Sequence, residues 1–155
     1  MRRFAIPVLV LAVFMGCKKG SVKNVSADDS QMNAAIANAR GSVNSFIAAL
    51  QAPNPNRMDF GIKMAFTQGQ HTEHMWLDDV TYDGKRFHGI LKNQPEKVRN
   101  VRYGQRVFVA PSQISDWMYV ENGKLVGGYT IRVLRDAMSP RERAEFDKSV
   151  SFRFD

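Results

Sequence analysis

Between positions 32 and 50 the apolar residues recur at intervals of three and four, and mostly polar or small residues separate them. This spacing places the apolar side chains on one face of a helix. Asp28, followed three residues later by Gln31, predicts the start of that helix, and residues 53–56 (Pro-Asn-Pro-Asn) predict its end. We therefore predict one N-terminal helix, in which Gly41 costs up to ~1 kcal/mol relative to alanine.

From residue 60 onward the period changes to two, which is typical of half-buried strands. Strands are predicted at residues 60–66, 73–82, 86–91, 106–109 and 114–120. Asp83-Gly84 and Asn122-Gly123 predict two-residue hairpin turns. After the second turn, Leu125 and Val126 are expected to pair back briefly. The segment from Pro95 through Tyr103 is irregular in pattern. The strands are predicted to form an antiparallel sheet.

The C-terminal part of the chain predicts one or two short helices. Thr130 can cap a helix over residues 131–135, although the β-branched residues there also fit a strand, and we favour the helix. Ser139-Pro140-Arg141-Glu142 predicts a second helix, with a serine cap and a glutamate box partner. Residues 150–154 alternate as an edge strand or a docking tail. The fold class is therefore α+β: an N-terminal helix, an antiparallel sheet of about five strands, and one or two short C-terminal helices.

The N-terminus has the pattern of an export signal. Arg2 and Arg3 precede twelve almost wholly apolar residues (4–15), fewer than the ~20 that span a bilayer. The run ends at Gly16-Cys17, which resembles the bacterial lipobox, whose cysteine receives diacylglycerol. We predict a signal peptide over residues 1–16, a lipidated Cys17 with a flexible tether over residues 17–27, and a single α+β domain over residues 28–155.

This resemblance also predicts a location. Lys18 is not the aspartate that retains lipoproteins at the inner membrane, so we expect a lipid anchor in the outer membrane, with the domain facing the periplasm. Phe14 and Met15 depart from the usual lipobox pattern. One alternative is ordinary signal cleavage, which would give a secreted or soluble periplasmic protein. Another is a short anchor that is not cleaved.

Composition and charge exclude some functions. With 44% hydrophobic residues, the 155-residue chain can fill a core, and its single cysteine cannot form an internal disulfide. The net charge is +7, or +5 (20 basic against 15 acidic residues) without Arg2 and Arg3. The basic residues form no dense stripe, so we expect no nucleic-acid partner. The basic run at Lys97, Arg99, Arg102 and Arg106 is interpreted as a solvated face.

Candidate chemistry is sparse. His71 and His74 are three residues apart on a predicted strand and therefore point to opposite faces, so we predict no metal site and no cofactor. An acid–base pair of His74 with a nearby carboxylate (Asp78, Asp79 or Asp116) is conceivable. An envelope hydrolase using that pair is the alternative to a protein without a catalytic site.

Four aromatic residues, Trp76, Trp117, Tyr119 and Tyr129, suit either a binding surface or a core, and we favour the core. In particular, Trp117 is predicted to be buried between the sheet and a helix. Asp116 is predicted to accept hydrogen bonds from the backbone or from Arg132.

The segments Glu73-His74-Met75-Trp76-Leu77, Asp116-Trp117-Met118-Tyr119-Val120 and Gly127-Gly128-Tyr129-Thr130-Ile131-Arg132 resemble the uncharacterised bacterial YegJ-like family, domain of unknown function 2314. The resemblance extends over roughly residues 30–150. It implies a compact domain sometimes carried by exported proteins and implies no reaction. We predict a non-catalytic binding or interaction module that contacts the membrane through its lipid and binds another envelope protein. The candidate binding residues are Glu73, His74, Trp76, Asp116, Trp117, Tyr119, Tyr129 and Arg132.

Overall fold

A computed structural model describes residues 30–154 of the chain. The predicted signal peptide, the lipidated Cys17, the tether and the Asp28 cap all lie outside these residues. The helices are α1 (Ser30–Gly41), α2 (Val43–Gln51), α3 (Tyr129–Asp136) and α4 (Pro140–Ser149). The strands are β1 (Arg57–Gln68), β2 (His71–Tyr82), β3 (Phe87–Leu91), β4 (Arg106–Val109), β5 (Ile114–Glu121) and β6 (Lys124–Gly127). None of the described helices is both long enough and apolar enough to span a membrane.

The predicted single N-terminal helix is wrong in one respect, because the chain forms two helices that meet at Ser42. The Ser42 hydroxyl donates a hydrogen bond to the carbonyl oxygen of Asn38 at 2.7 Å, and so competes with the regular helical ladder. Gly41 ends α1 immediately before this residue. The helical face continues across the break, so Ala39, Val43 and Phe46 are all buried.

The six strands form one antiparallel sheet in the order β4-β3-β2-β1-β5-β6. The fold class α+β is confirmed, and the sixth strand is the brief return that the sequence predicted at Leu125 and Val126. At the second predicted turn Asn122 and Gly123 have φ angles of 51° and 75°, as a two-residue hairpin requires. The first predicted turn is wrong in length. Tyr82 pairs with Phe87, which leaves a four-residue loop.

The main core lies between one face of the sheet and helices α1 and α2. Phe46 of α2 is completely buried, and its ring lies 5.4 Å from that of Trp117 and 5.7 Å from that of Phe87. Ile62 on β1 and Leu77 on β2 are cross-strand partners on the same face, and both have zero exposure. This face of the sheet therefore supplies most of the hydrophobic stabilisation.

Alternation along the strands places a second set of side chains on the opposite face of the sheet. We call this surface the open face. Its members are half-buried or exposed: Lys63 and Ala65 on β1, His74, Trp76 and Asp78 on β2, His88 and Ile90 on β3, and Arg106 and Phe108 on β4.

Both predicted C-terminal helices are present. The expected Thr130 cap of α3 is wrong, because Gly128 occupies the cap position with φ of 63° and Thr130 lies inside the helix. The predicted cap of α4 is confirmed: Ser139 and Glu142 exchange hydrogen bonds at the first turn. Beyond α4 the chain is a docking tail, in which Arg153 pairs with Lys124 of β6.

Candidate functional site

Lys63 lies at the β1 end of the open face. It is the cross-strand partner of Trp76 on β2 and of Asp116 on β5, so the three side chains share one face. The Nζ atom lies 5.7 Å from the centroid of the Trp76 ring, within the range of a cation–π contact. It also donates a hydrogen bond to Oγ1 of Thr130 at 3.2 Å. Burial lowers the pKa of the Lys63 ammonium, and the charge of Asp116 partly opposes this.

The carboxylate of Asp116 has zero exposure and fastens β5 to the start of α3. It accepts hydrogen bonds from the backbone N–H groups of Trp117, Tyr129 and Thr130 at 2.8, 3.1 and 2.8 Å. The Thr130 hydroxyl adds a fourth at 2.6 Å. Burial raises the pKa of Asp116, whereas these hydrogen bonds and Lys63 oppose the rise. The prediction that Asp116 accepts backbone hydrogen bonds is confirmed, and the carboxylate acts as the cap of α3.

His74 is an exposed residue of β2. Its Nδ1 atom lies 2.9 Å from Oγ of Ser115. Partial burial lowers the pKa of His74, and the positive charges of Lys63 and Arg40 lower it further. The imidazole is therefore expected to be neutral at pH 7. Its hydrogen-bond partner is a hydroxyl and not a carboxylate, and Ser115 itself is only 1% exposed.

Three of the predicted aromatic residues belong to the core. Trp117 is 3% exposed and Tyr119 is 7% exposed, and both rings lie near Phe46. The Trp117 indole N–H donates to the carbonyl oxygen of Ala39 at 2.9 Å. Tyr129 packs edge-on against Trp117, and its hydroxyl lies 2.9 Å from that of Ser42. Trp76 is the exception, since it lies half-buried on the open face.

Glu73 and Arg132, also predicted binding residues, hold loops in place. The Glu73 carboxylate accepts hydrogen bonds from the backbone N–H groups of Glu96 and Lys97, which fixes the segment between β3 and β4. The Arg132 guanidinium donates to the carbonyl oxygens of Gly127 and Leu125 at 3.1 and 2.9 Å. The structure therefore does not bring the eight predicted residues together at one site.

The far end of the open face carries a group that the sequence analysis missed. Phe108 is 50% exposed on β4, and the guanidinium carbon of Arg86 lies 5.4 Å from its ring centroid. The ring of His88 lies 4.7 Å from that of Phe108, and His88 also contacts Asp83 at 2.7 Å. Arg106 lies on the same face of β4 as Phe108. Aromatic and basic side chains thus extend from β1 to β4.

Among the half-buried members of the open face, Asp78 has a raised pKa. Burial raises the pKa of Asp78 to about 6, and Asp79 and Asp59 add to the rise while Lys92 opposes it. Near neutral pH this carboxyl contributes less negative charge than an exposed aspartate. Within residues 30–154, no group of three or more histidine, cysteine, aspartate or glutamate side chains is arranged to hold a metal ion.

Comparison with known proteins places the chain in a family. Residues 29–154 match the model of a bacterial family described as "Uncharacterized protein conserved in bacteria (DUF2314)". The chain is 39% identical over 118 residues to the uncharacterized protein YegJ of Escherichia coli, covering 76% of this chain and 75% of that protein. It is 41% identical over 102 residues to a Neisseria meningitidis protein named "Putative ankyrin repeat protein", covering 63% of this chain.

The match spans only 40% of the length of the Neisseria protein, so that relative contains much that this chain does not align with. No solved structure matches the chain. The family match covers nearly all of the residues that form the sheet and its helices, and it includes Lys63, Trp76 and Asp116. The chain therefore belongs to the uncharacterized bacterial family DUF2314, as its resemblance to YegJ-like proteins predicted.

Proposed function

We propose that this chain is an exported lipoprotein whose domain is a non-catalytic binding module, with the open face as its contact surface. The observation that carries the proposal is the position of Trp76. Of the predicted aromatic residues it alone lies on the open face, half-buried beside Lys63 and His74. A large amphipathic ring next to a cation, on a face that α1 and α2 do not cover, suits contact with another protein.

The same geometry does not favour a hydrolase. A catalytic carboxylate must be free to take or give a proton, whereas Asp116 is fully buried and accepts four hydrogen bonds. The hydroxyl beside His74 belongs to Ser115, which is 1% exposed and out of reach of a substrate. A binding role needs neither group to react.

The proposed location is the outer membrane, with the lipid on Cys17 as the anchor and the domain facing the periplasm. The short apolar run that ends at Gly16-Cys17 supports it. The proposed partner is another envelope protein. Ankyrin repeats form extended binding surfaces, so the name of the Neisseria relative agrees with an interaction role for this domain.

Removing the thiol of Cys17 tests the anchor. In Cys17→Ser no acyl chain can be attached through this position, so labelling by a fatty-acid probe should disappear and the protein should move to the soluble fraction. Labelling and fractionation of cell envelopes measure both effects. Unchanged membrane association of the serine variant would show that Cys17 is not the anchor.

Photo-crosslinking tests the contact surface. The full-length chain is produced in its own cells with a photoreactive phenylalanine analogue in place of Phe108, a conservative change at a half-exposed aromatic position. The matched control carries the analogue in place of Leu134, which is 38% exposed on α3, away from the open face. We expect an adduct with an envelope protein from position 108 and not from position 134. Absence of any protein adduct at position 108 would contradict the proposal.

A further inference from the structure

We propose that the partner occupies the open face with an acidic peptide segment, one carboxylate of which binds the Lys63 ammonium beside Trp76. This inference rests on the proposed function, because it names the chemistry of the partner at the same surface. Three observations support it: the free donors of Lys63, the state of Asp116, and the unpaired cations elsewhere on the face.

The Lys63 ammonium makes fewer hydrogen bonds than it has N–H groups. It carries three N–H groups and makes one hydrogen bond, to Oγ1 of Thr130. No other described residue accepts a hydrogen bond from it, and it forms no ion pair within 4.0 Å with the described part of the chain. Burying a cation is costly unless it is paired, so this half-buried side chain, whose ammonium has one hydrogen bond, is well placed to gain from an external anion.

Asp116 cannot serve as that anion. Its carboxylate oxygens already accept three backbone N–H groups and one hydroxyl. The Thr130 hydroxyl stands between the two charges, since it accepts from Lys63 and donates to Asp116. Asp116 is therefore already occupied by other donors, and it reaches the Lys63 ammonium only through the Thr130 hydroxyl.

The remaining charge on the open face is also mainly positive. Arg86 and Arg106 form no ion pair with any residue in the range 30–154. The guanidinium of Arg86 lies over the ring of Phe108. Asp78 is the one acid among the members of the open face, against Lys63 and Arg106, and the charge of Lys92 acts on it. The acids beside the face are paired: Asp83 contacts His88, and Asp79 lies 3.6 Å from Lys92. Three cations and two accessible aromatic rings are thus complementary to a chain that carries carboxylates and apolar groups.

The spacing favours a peptide over a lipid surface. Lys63 on β1 and Phe108 on β4 are three strands apart, roughly 14 Å at ~4.8 Å per strand. The register also places Phe108 about four residues further along the strands, roughly 13 Å at ~3.3 Å per residue. The two positions are therefore roughly 20 Å apart, a distance that an extended segment of about six residues spans. Lys63 lies within the sheet beside a tryptophan and is reached by a single side chain more readily than by a plane of lipid headgroups.

The test uses the full-length chain with the photoreactive analogue at position 108, and compares Lys63→Met with Lys97→Met. Methionine keeps the length of the side chain and removes its charge. Lys97 is an exposed cation on the segment between β3 and β4, and serves as the matched control. We expect Lys63→Met to reduce the adduct at least fivefold, Lys97→Met to leave it unchanged, and Lys63→Arg to retain most of it.

Mass spectrometry of the adduct supplies a readout that does not depend on the fold of the variants. The crosslinked partner segment should contain aspartate or glutamate within about six residues of the attachment point, given the rise of an extended chain. Replacing that acid with its amide in the partner should cause the same loss with this chain unaltered. Circular dichroism melts of each lysine variant check that it is folded.

The outcomes separate the two proposals. A protein adduct that is insensitive both to Lys63→Met and to amide replacement in the partner would overturn the acidic-segment inference and leave the proposed function standing. An adduct with lipid, or none at all, would overturn both. A partner segment without acidic residues would also refute the inference.

Discussion

Replacing Trp117 with alanine is expected to lower the free energy of unfolding by about 3–5 kcal/mol, the usual cost of truncating a large core aromatic. The indole is 3% exposed and lies against Phe46, Tyr119 and Tyr129. Its removal leaves a cavity where α1, β5 and α3 meet. Domains of this size are commonly stable by about 5–15 kcal/mol, so this loss removes a large part of the stability of the fold.

Urea unfolding measures the effect, and Trp117→Phe is the control. Phenylalanine keeps much of the ring and removes the N–H group that donates to the carbonyl oxygen of Ala39. It should therefore cost less than alanine, with about 1 kcal/mol arising from the lost hydrogen bond. If the alanine variant unfolds at the urea concentration of the unaltered protein, Trp117 does not anchor the core.

Replacing Asp116 with alanine is expected to cost about 3–5 kcal/mol, comparable to breaking a buried charged network. Three backbone N–H groups and the Thr130 hydroxyl would lose their acceptor in a place that water does not reach. The start of α3 should loosen first, because two of those N–H groups belong to Tyr129 and Thr130.

Hydrogen exchange of those two amides, together with urea unfolding, measures the result. Asp116→Asn is the matched variant, since its amide oxygen can replace only one carboxylate oxygen, and it should fall between alanine and the original residue. Asp78→Asn provides a second control on the open face, where no cap is lost. Native-like protection of the Tyr129 and Thr130 amides in Asp116→Ala would rule out the capping role.

Much of the fold could be predicted from local signals. The alternation of apolar residues located five strands to within a few positions, and Asn122-Gly123 and Ser139-Pro140 act through backbone preferences that depend little on distant contacts. The break at Ser42 could not be predicted in the same way. The apolar periodicity continues across the break, and Gly41 by itself predicts only a weaker helix. The hydrogen bonds of the Ser42 hydroxyl to Asn38 and to Tyr129 appear only in the folded chain.

Less of the candidate site could be predicted from the sequence. Thr130 was expected to cap α3, but the cap is supplied by Asp116, which lies on a strand 14 residues earlier. Lys63 was missed because a single lysine on the polar side of a strand normally points into solvent. Only the cross-strand pairing with Trp76 and Asp116 makes it half-buried, and that register is a property of the folded sheet.

The contact of the C-terminal tail with β6 also governs how the sheet can grow. The N–H of Leu125 donates to the carbonyl oxygen of Arg153, and the N–H of Arg153 donates to that of Gly123. The C-terminal tail thus pairs with the edge strand β6. The other edge strand of the sheet is β4, which is only four residues long. Within residues 30–154, β4 is therefore the short edge at which another strand could be added. A chain cut after α4 would also expose the edge of β6, and fibres could then grow by strand addition at both edges.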